Sequence, residues 1–310
     1  MLKIATRGSD LALAQARRVQ GLLAGTGQAA ELCIIKTRGD VALDLRLSDN
    51  LEKGLFTSEV ESAVAEGRAD LAVHSLKDMP TAGDPRCSPS IVIERVASED
   101  LLLVAPHAVA DTGILPVREG ARIGTSAARR VAMLNAWRGD LQPVPIRGNV
   151  PTRLRKALEG EVDGVILARA GLHRLQADLS GLRSFVLHPQ CWLPAPGQGA
   201  IAVQTRSDDG ELQRTLRGLS DPQANLAVGL EREALALSEG GCHVPFGARA
   251  APTASGQWCL RLGQSAGPGD WRMTAVTGAP ETLAALAYGR LAGAKAIEPA
   301  SLWAPLEEGL

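Results

Sequence analysis

Short aliphatic runs recur along this chain, and most are followed by a turn and then by a stretch with helical periodicity. That alternation constrains the fold more than any other feature. "LKIAT" leads into "DLALAQARRVQGLLAG", where apolar residues return at helical spacing until Gly25 closes the pattern. "ELCIIKT" reads as the next strand. "TSEVESAVAEG" reads as a helix, with Ser58 and Glu61 at capping-box spacing and Gly67 as its stop. "DLAVHS", "ARIGT", "PVPIRG" and "DGVILAR" are further strands, each leading into a helical stretch. Strands separated by helices pair mainly in parallel, so the expected fold class is α/β with mixed, mostly parallel sheets. Strands near 91–95 and 100–105 join the first half of the chain to the second.

The character changes after about residue 190. "HPQCWLPAPGQGAIAV" is loop and then strand, and a helix over "NLAVGLEREALALSEG" ends at Gly240 and Gly241. "WCLRLGQ" is a short strand and "ETLAALAYGRLAGA" a final helix, so the tail reads as a smaller α+β domain. With 310 residues, 45% of them hydrophobic, the chain has length and apolar content for two or three domains.

Several function classes are disfavoured at once. A net charge of −1 argues against nucleic-acid binding through a general positive field. Cys33, Cys87, Cys191, Cys242 and Cys259 form no C-x-x-C pair, and no histidine has zinc-ligand spacing, so no metal is expected. Their odd number and irregular spacing fit a reducing compartment. "MLKIATRGS" begins a strand at once, without the apolar core of a signal peptide, and no apolar run has membrane-spanning length. A soluble cytoplasmic protein with no membrane partner is the expectation.

The cations are unusual in kind and in place. Of 33 basic residues only six are lysines, and the rest are arginines, which suit bidentate capture of carboxylate or phosphate. A GC-rich genome would also raise the arginine count, but it says nothing of position. Three strand-to-helix junctions carry arginine: Arg7 in "ATRGS", Arg129 and Arg130 in "GTSAARR", Arg147 and Arg153 in "RGNVPTR". A helix start is partially positive, so each such arginine costs roughly 0.3–1 kcal/mol unless an anion lies nearby. Three such junctions predict a cleft for a polyanion at the carboxyl ends of the strands. "DLAVHSLKDMPT" places Asp78 where a buried strand emerges, as a candidate acid in that cleft. Two classes stay open on these grounds: a non-catalytic anion-binding protein, and an enzyme acting on a polycarboxylate or phosphorylated substrate.

The stretches "IATRGSDLALAQA", "KTRGD", "KGLFTSEVE", "ADLAVHSLKDMPT", "IGTSAARR", "IRGNVPTRL", "GVILARAGLHRL", "PAPGQGA" and "EGGCHVPFGARA" run in order from residue 4 to about 250. Together they closely resemble the porphobilinogen deaminase (hydroxymethylbilane synthase) family. The resemblance implies a cytoplasmic, monomeric transferase of tetrapyrrole (haem-type) biosynthesis. Such an enzyme joins four porphobilinogens head to tail with loss of ammonia and releases hydroxymethylbilane by hydrolysis. It also implies two domains like periplasmic binding proteins plus a C-terminal α+β domain: residues 1–97 with 195–217, residues 98–194, and residues 218–310. The runner-up is a non-catalytic anion binder of similar fold.

By the same resemblance, a dipyrromethane cofactor is held by a thioether to Cys242, whose thiolate would attack an electrophilic methylene. Asp78 is the catalytic carboxylate. Lys77, Ser75, Arg129, Arg130, Gly148 and Asn149 are expected at the cofactor, and Arg7, Ser9, Arg147, Arg153 and Arg174 at substrate carboxylates. Gln15 and Gln198 match positions near the cleft, and Lys53 and Phe56 lie in a covering loop. His74 reads as a structural strand residue. Four departures stand out: Ala127 replaces a common serine, Arg169 stands where a small or apolar residue is usual, Asp10 replaces proline and could cap a helix, and "ERVASEDLLL" strays from the usual hinge-side pattern. Arg169 would add a carboxylate contact or form an internal ion pair.

Overall fold

The computed structural model describes residues 1–37, 57–110, 113–238, 245–295 and 302–305. The chain divides into two compact units: residues 1–96 with 199–226, and residues 97–198 with 227–310.

In the first unit, β1 (Leu2–Arg7), β2 (Ala30–Ile35), β3 (Leu71–Ser75), β4 (Ile91–Arg95) and β10 (Ala200–Thr205) form one sheet in the order β2-β1-β3-β10-β4. β1 pairs in parallel with β2 and β3, and β10 runs antiparallel between β3 and β4. Side chains alternate across a strand, and both faces are covered. Ile4, Leu71 and Val73 pack under α1 (Asp10–Gly25), with Ala16, Val19 and Leu23. Ala5 and Ala72 face the other way and meet Val60, Ala63 and Val64 of α2 (Ser58–Ala65). Small residues on that face let α2 lie close. The expected capping box does not form: Thr57 takes the N-cap position without a side-chain bond, and the Ser58 hydroxyl turns to Glu59 at 3.0 Å. α1 is capped by Ser9, and Asp10 instead occupies its first turn, where its charge suits the helix dipole.

The second unit holds a six-stranded sheet, β14-β9-β5-β8-β6-β7. Its strands are β5 (Asp100–Val104), β6 (Arg122–Gly124), β7 (Gln142–Val144), β8 (Gly164–Ala168), β9 (Arg183–Leu187) and β14 (Trp303–Pro305). β6 is parallel to β7 and β8, and the other pairs are antiparallel, a distinction to which apolar runs are blind. Leu102, Val104 and Ile166 pack beneath α3 (Ala128–Trp137). Leu101, Leu103 and Val165 pack on the opposite face, with Leu154 of α4 (Val150–Leu158) and Leu172 of α5 (Arg169–Arg174). β7 stops at Val144, short of the reading over "PVPIRG", because Pro145 has no N–H to donate.

The same unit contains a three-stranded antiparallel sheet of β11 (Phe246–Pro252), β12 (Trp258–Gly267) and β13 (Asp270–Gly278). α6 (Gly210–Gly218) packs Leu212 and Leu216 into the first unit. α7 (Pro222–Leu237) and α8 (Pro280–Leu291) supply Leu230, Ala234, Leu283 and Ala287 to the core of the small sheet. Trp271 of β13 meets Trp137 edge-on at 6.4 Å between ring centroids, and Trp137 lies 6.0 Å from Trp192. The fold class is α/β, with mixed sheets and a smaller antiparallel sheet.

Candidate functional site

The carboxyl ends of β1, β2 and β3 share one edge of the first sheet, because those strands are parallel. Arg7 stands at the end of β1, half-buried. Ser9 comes next but one, its hydroxyl accepting from Ala12 N at 3.4 Å. Gln15 is buried, and its amide exchanges hydrogen bonds with the Ser75 hydroxyl at 2.8 and 2.9 Å. This pair ties α1 to the end of β3.

Beyond Ser75 the chain turns through one 3₁₀ segment, Leu76–Asp78. Leu76 is fully buried and anchors the turn, Lys77 is half-buried, and Asp78 is exposed. The Met79 N–H bonds back to the Leu76 carbonyl at 3.1 Å. The Asp78 carboxylate takes part in no hydrogen bond or ion pair among the described residues. His74, on the buried strand, is held neutral: burial lowers its pKa to about 4, with the Gln204 amide working in the opposite direction.

In the second unit, the carboxyl ends of β6, β7 and β8 share an edge and lead into α3, α4 and α5. β5 is antiparallel to β8 and begins at that edge, with Asp100 opposite Ala168. Asp100 is 0% exposed. Oδ2 accepts from Arg129 Nη2 at 2.9 Å, Arg130 Nε at 3.0 Å and Trp192 Nε1 at 2.9 Å. Oδ1 accepts from Arg130 Nη2 at 2.7 Å and Gln198 Nε2 at 2.8 Å. Burial alone would raise the Asp100 pKa, but the two guanidinium charges and these bonds outweigh it and hold the carboxyl far below the usual range. Arg130 also donates to the Ile166 carbonyl, and Arg129 to that of Leu193. At this junction, then, the chain supplies its own anion for the arginines at a helix start.

The β7–α4 junction is built differently. Arg147 is exposed, and Gly148 has φ +107, where an added Cβ would lie 2.6 Å from Thr152 Cγ2. Asn149 caps α4, its Oδ1 accepting from Thr152 N at 3.0 Å and Thr152 Oγ1 at 2.8 Å. Arg153 Nε returns to the Gly148 carbonyl at 2.8 Å. Arg174 closes α5, half-buried. Arg169 opens that helix, and its side chain forms no ion pair among the described residues, so the internal pair is not observed. Ala127 takes the N-cap position of α3 and supplies no capping bond. Gln198 is buried and also donates to the Ser98 carbonyl at 2.7 Å. Cys242, Lys53 and Phe56 lie outside the described residues. No group of three or more His, Cys, Asp or Glu that could hold a metal occurs among the described residues.

Sequence reasoning missed Asp100, Trp192 and Glu231. Asp100 precedes the apolar run "LLLV", and nothing in that local pattern singles it out. Glu231 carried a signal: it falls on the buried stripe of α7 with Ala227, Leu230, Ala234 and Leu235.

Residues 2–214 match the family model described as porphobilinogen deaminase, dipyromethane cofactor binding domain. The chain is 43% identical over 261 residues to the porphobilinogen deaminase of Nitratidesulfovibrio vulgaris (strain Miyazaki F), covering 84% of this chain and 80% of that protein. It is 45% identical over 246 residues to that of Syntrophomonas wolfei, covering 79% and 78%. Among solved structures, the VFT2 domain of Bordetella pertussis BvgS matches with TM-score 0.43 and 15% identity, covering 70% of this chain and 86% of that one.

Asp100→Asn would leave two buried guanidiniums without a counter-ion, at a cost of about 3–5 kcal/mol in denaturant unfolding at neutral pH. A loss below about 1 kcal/mol would show the cluster is not a buried charge pair. For His74, the unfolded chain binds a proton near pH 6.5 while the folded chain resists it down to about 4. Stability should therefore fall by about 3 kcal/mol from this group as pH drops across that window, and level off below it. Urea titrations at several pH values should show this slope, and His74→Gln should flatten it.

Proposed function

The chain belongs to the porphobilinogen deaminase family, and on that premise we propose which of its residues carry the reaction. The enzyme joins four porphobilinogens head to tail with loss of ammonia and releases hydroxymethylbilane by hydrolysis, in tetrapyrrole biosynthesis. Relatives so named do not favour the non-catalytic alternative.

The observation that carries the assignment of Asp78 is its availability. It is exposed at the carboxyl edge of parallel strands, on a turn pinned by a fully buried leucine, with no intramolecular bond among the described residues. Departure of ammonia from the substrate leaves a cationic methylene-pyrrole. A carboxylate fixed nearby stabilises that charge as it develops, and can accept or return a proton. Arg7, Ser9, Ser75 and Lys77 border the same edge and would orient the substrate, although the Ser9 hydroxyl is already shared with the cap of α1.

The dipyrromethane cofactor, when bound, supplies the primer to which the units are joined. Its carboxylate side chains suit the donor set of the second unit. Arg147 is exposed there, Arg153 is half-buried and bonded to the carbonyl of left-handed Gly148, and Arg174 is half-buried at the end of α5. Arg129 and Arg130 would act from within, since two guanidiniums against one carboxylate leave one cation in excess. Cys242 is the proposed point of attachment. Gln15 and Gln198 act as supports, through Ser75 and Asp100. Lys53 and Phe56 are proposed in a covering loop.

The proposed division into residues 1–97 with 195–217, 98–194 and 218–310 draws support from the three separate sheets, although β14 of the last segment joins the sheet of residues 98–194. A cytoplasmic location is supported by the free thiols of Cys33, Cys87, Cys191 and Cys259, and the monomeric state is proposed from the family resemblance. No helix among the described residues is long and apolar enough to cross a membrane.

Asp78→Asn should melt like the unaltered chain and lose about 10²–10³-fold in turnover; near-normal bilane production would overturn the role. Intact-mass measurement should find a two-pyrrole adduct on the purified chain and none on Cys242→Ser. An adduct that survives that substitution would move the attachment point elsewhere.

A further inference from the structure

Glu231 is a carboxylate with 0% exposure on α7. Oε2 accepts from Gly197 N at 2.8 Å, and Oε1 accepts from Ala250 N at 2.9 Å. One side chain thus joins three pieces of chain: α7, the loop that carries Gln198, and β11. The loop and β11 are also joined directly. Ala248 N donates to the Pro194 carbonyl at 3.0 Å, and a Cβ on Gly247 would lie 2.7 Å from Leu193 Cβ. Arg129 donates to the Leu193 carbonyl, so the same frame reaches the buried cations.

Burying a carboxylate is expensive, and an apolar side chain would fill this space at less cost. The position, however, needs two acceptors on one group. Glutamine cannot replace it, because its Nε2 would face an N–H with another donor. The two elements it ties, α7 and β11, are also the elements that flank Cys242 in sequence: α7 ends at Leu237 and β11 begins at Phe246. Fixing both ends of a short connection lowers the entropy of ordering what lies between, and raises the effective concentration of any group it carries.

We propose that Glu231 is a positioning residue for cofactor attachment, clamping the frame from which the Cys242 connection is hung. This rests on the assignment of Cys242 above. The carboxylate sets how fast the thioether forms.

The test uses the full chain produced in a host that makes no porphobilinogen. Porphobilinogen is then added, and the adduct is followed by intact mass and by colour with an acidic aldehyde reagent for pyrroles. Glu231→Gln should acquire the adduct at least tenfold more slowly. Ala250→Pro removes one of the two N–H donors while leaving the carboxylate, and should slow loading in the same direction. Leu115→Ala, a core change in the separate cluster beneath α3, should lower the melting temperature yet load within twofold of the unaltered chain. Normal loading of both clamp variants, or loading that simply tracks melting temperature across all three, overturns the proposal. If the unaltered chain gains no adduct, the attachment assignment fails first and this inference with it. An adduct on the unaltered chain with equal rates in Glu231→Gln sinks the role of Glu231 alone.

Discussion

The second unit is organised around one fully desolvated ionic cluster. Asp100 gathers two guanidiniums, an indole N–H and an amide at the start of a strand with both faces buried. Its donors come from α3, from the tryptophan that packs on Trp137, and from the loop before β10. A hydrophobic core alone would bring these elements together loosely. The charge cluster adds direction, since each donor must point at one of two oxygens. A helix start bearing two arginines would otherwise repel its own dipole, and Ala127 contributes no cap to soften that.

The first unit solves a different problem with neutral groups. Its parallel strands end at one edge, and the chain must leave that edge without fraying. A serine caps the first helix, and the Gln15–Ser75 exchange secures the third strand. The chain then enters a turn whose sole buried residue is Leu76, leaving Lys77 and Asp78 progressively more exposed. Chemistry placed on such a turn inherits the rigidity of the sheet while keeping its carboxylate available.

Much of this was legible in the sequence. α1, β3 and β8 come directly from apolar spacing with glycine and proline punctuation, and their ends agree within a residue or two. The arginine junctions correctly marked the sheet edges. What they could not reveal was their counter-ions, because Asp100 lies some 30 positions from Arg130 and only the tertiary fold brings them together. The capping box over Ser58 and Glu61 failed for a local reason, as Ser58 is already the first residue of the helix and Thr57 holds the cap position. Strand direction, and the antiparallel return of β9, β10 and β14, left no periodic trace. Glu231 could have been noticed, since a charge on a buried stripe demands a partner, although the identity of that partner could not.

The double exchange between Gln15 and the Ser75 hydroxyl has a mechanical corollary. A side chain from within α1 grips the last residue of β3, so the start of the turn after that strand is tied to the helix as well as to the sheet. Any displacement of α1 is transmitted to the Asp78 turn with little slack. A tilt of α1 would therefore pull on Ser75, three residues before Asp78.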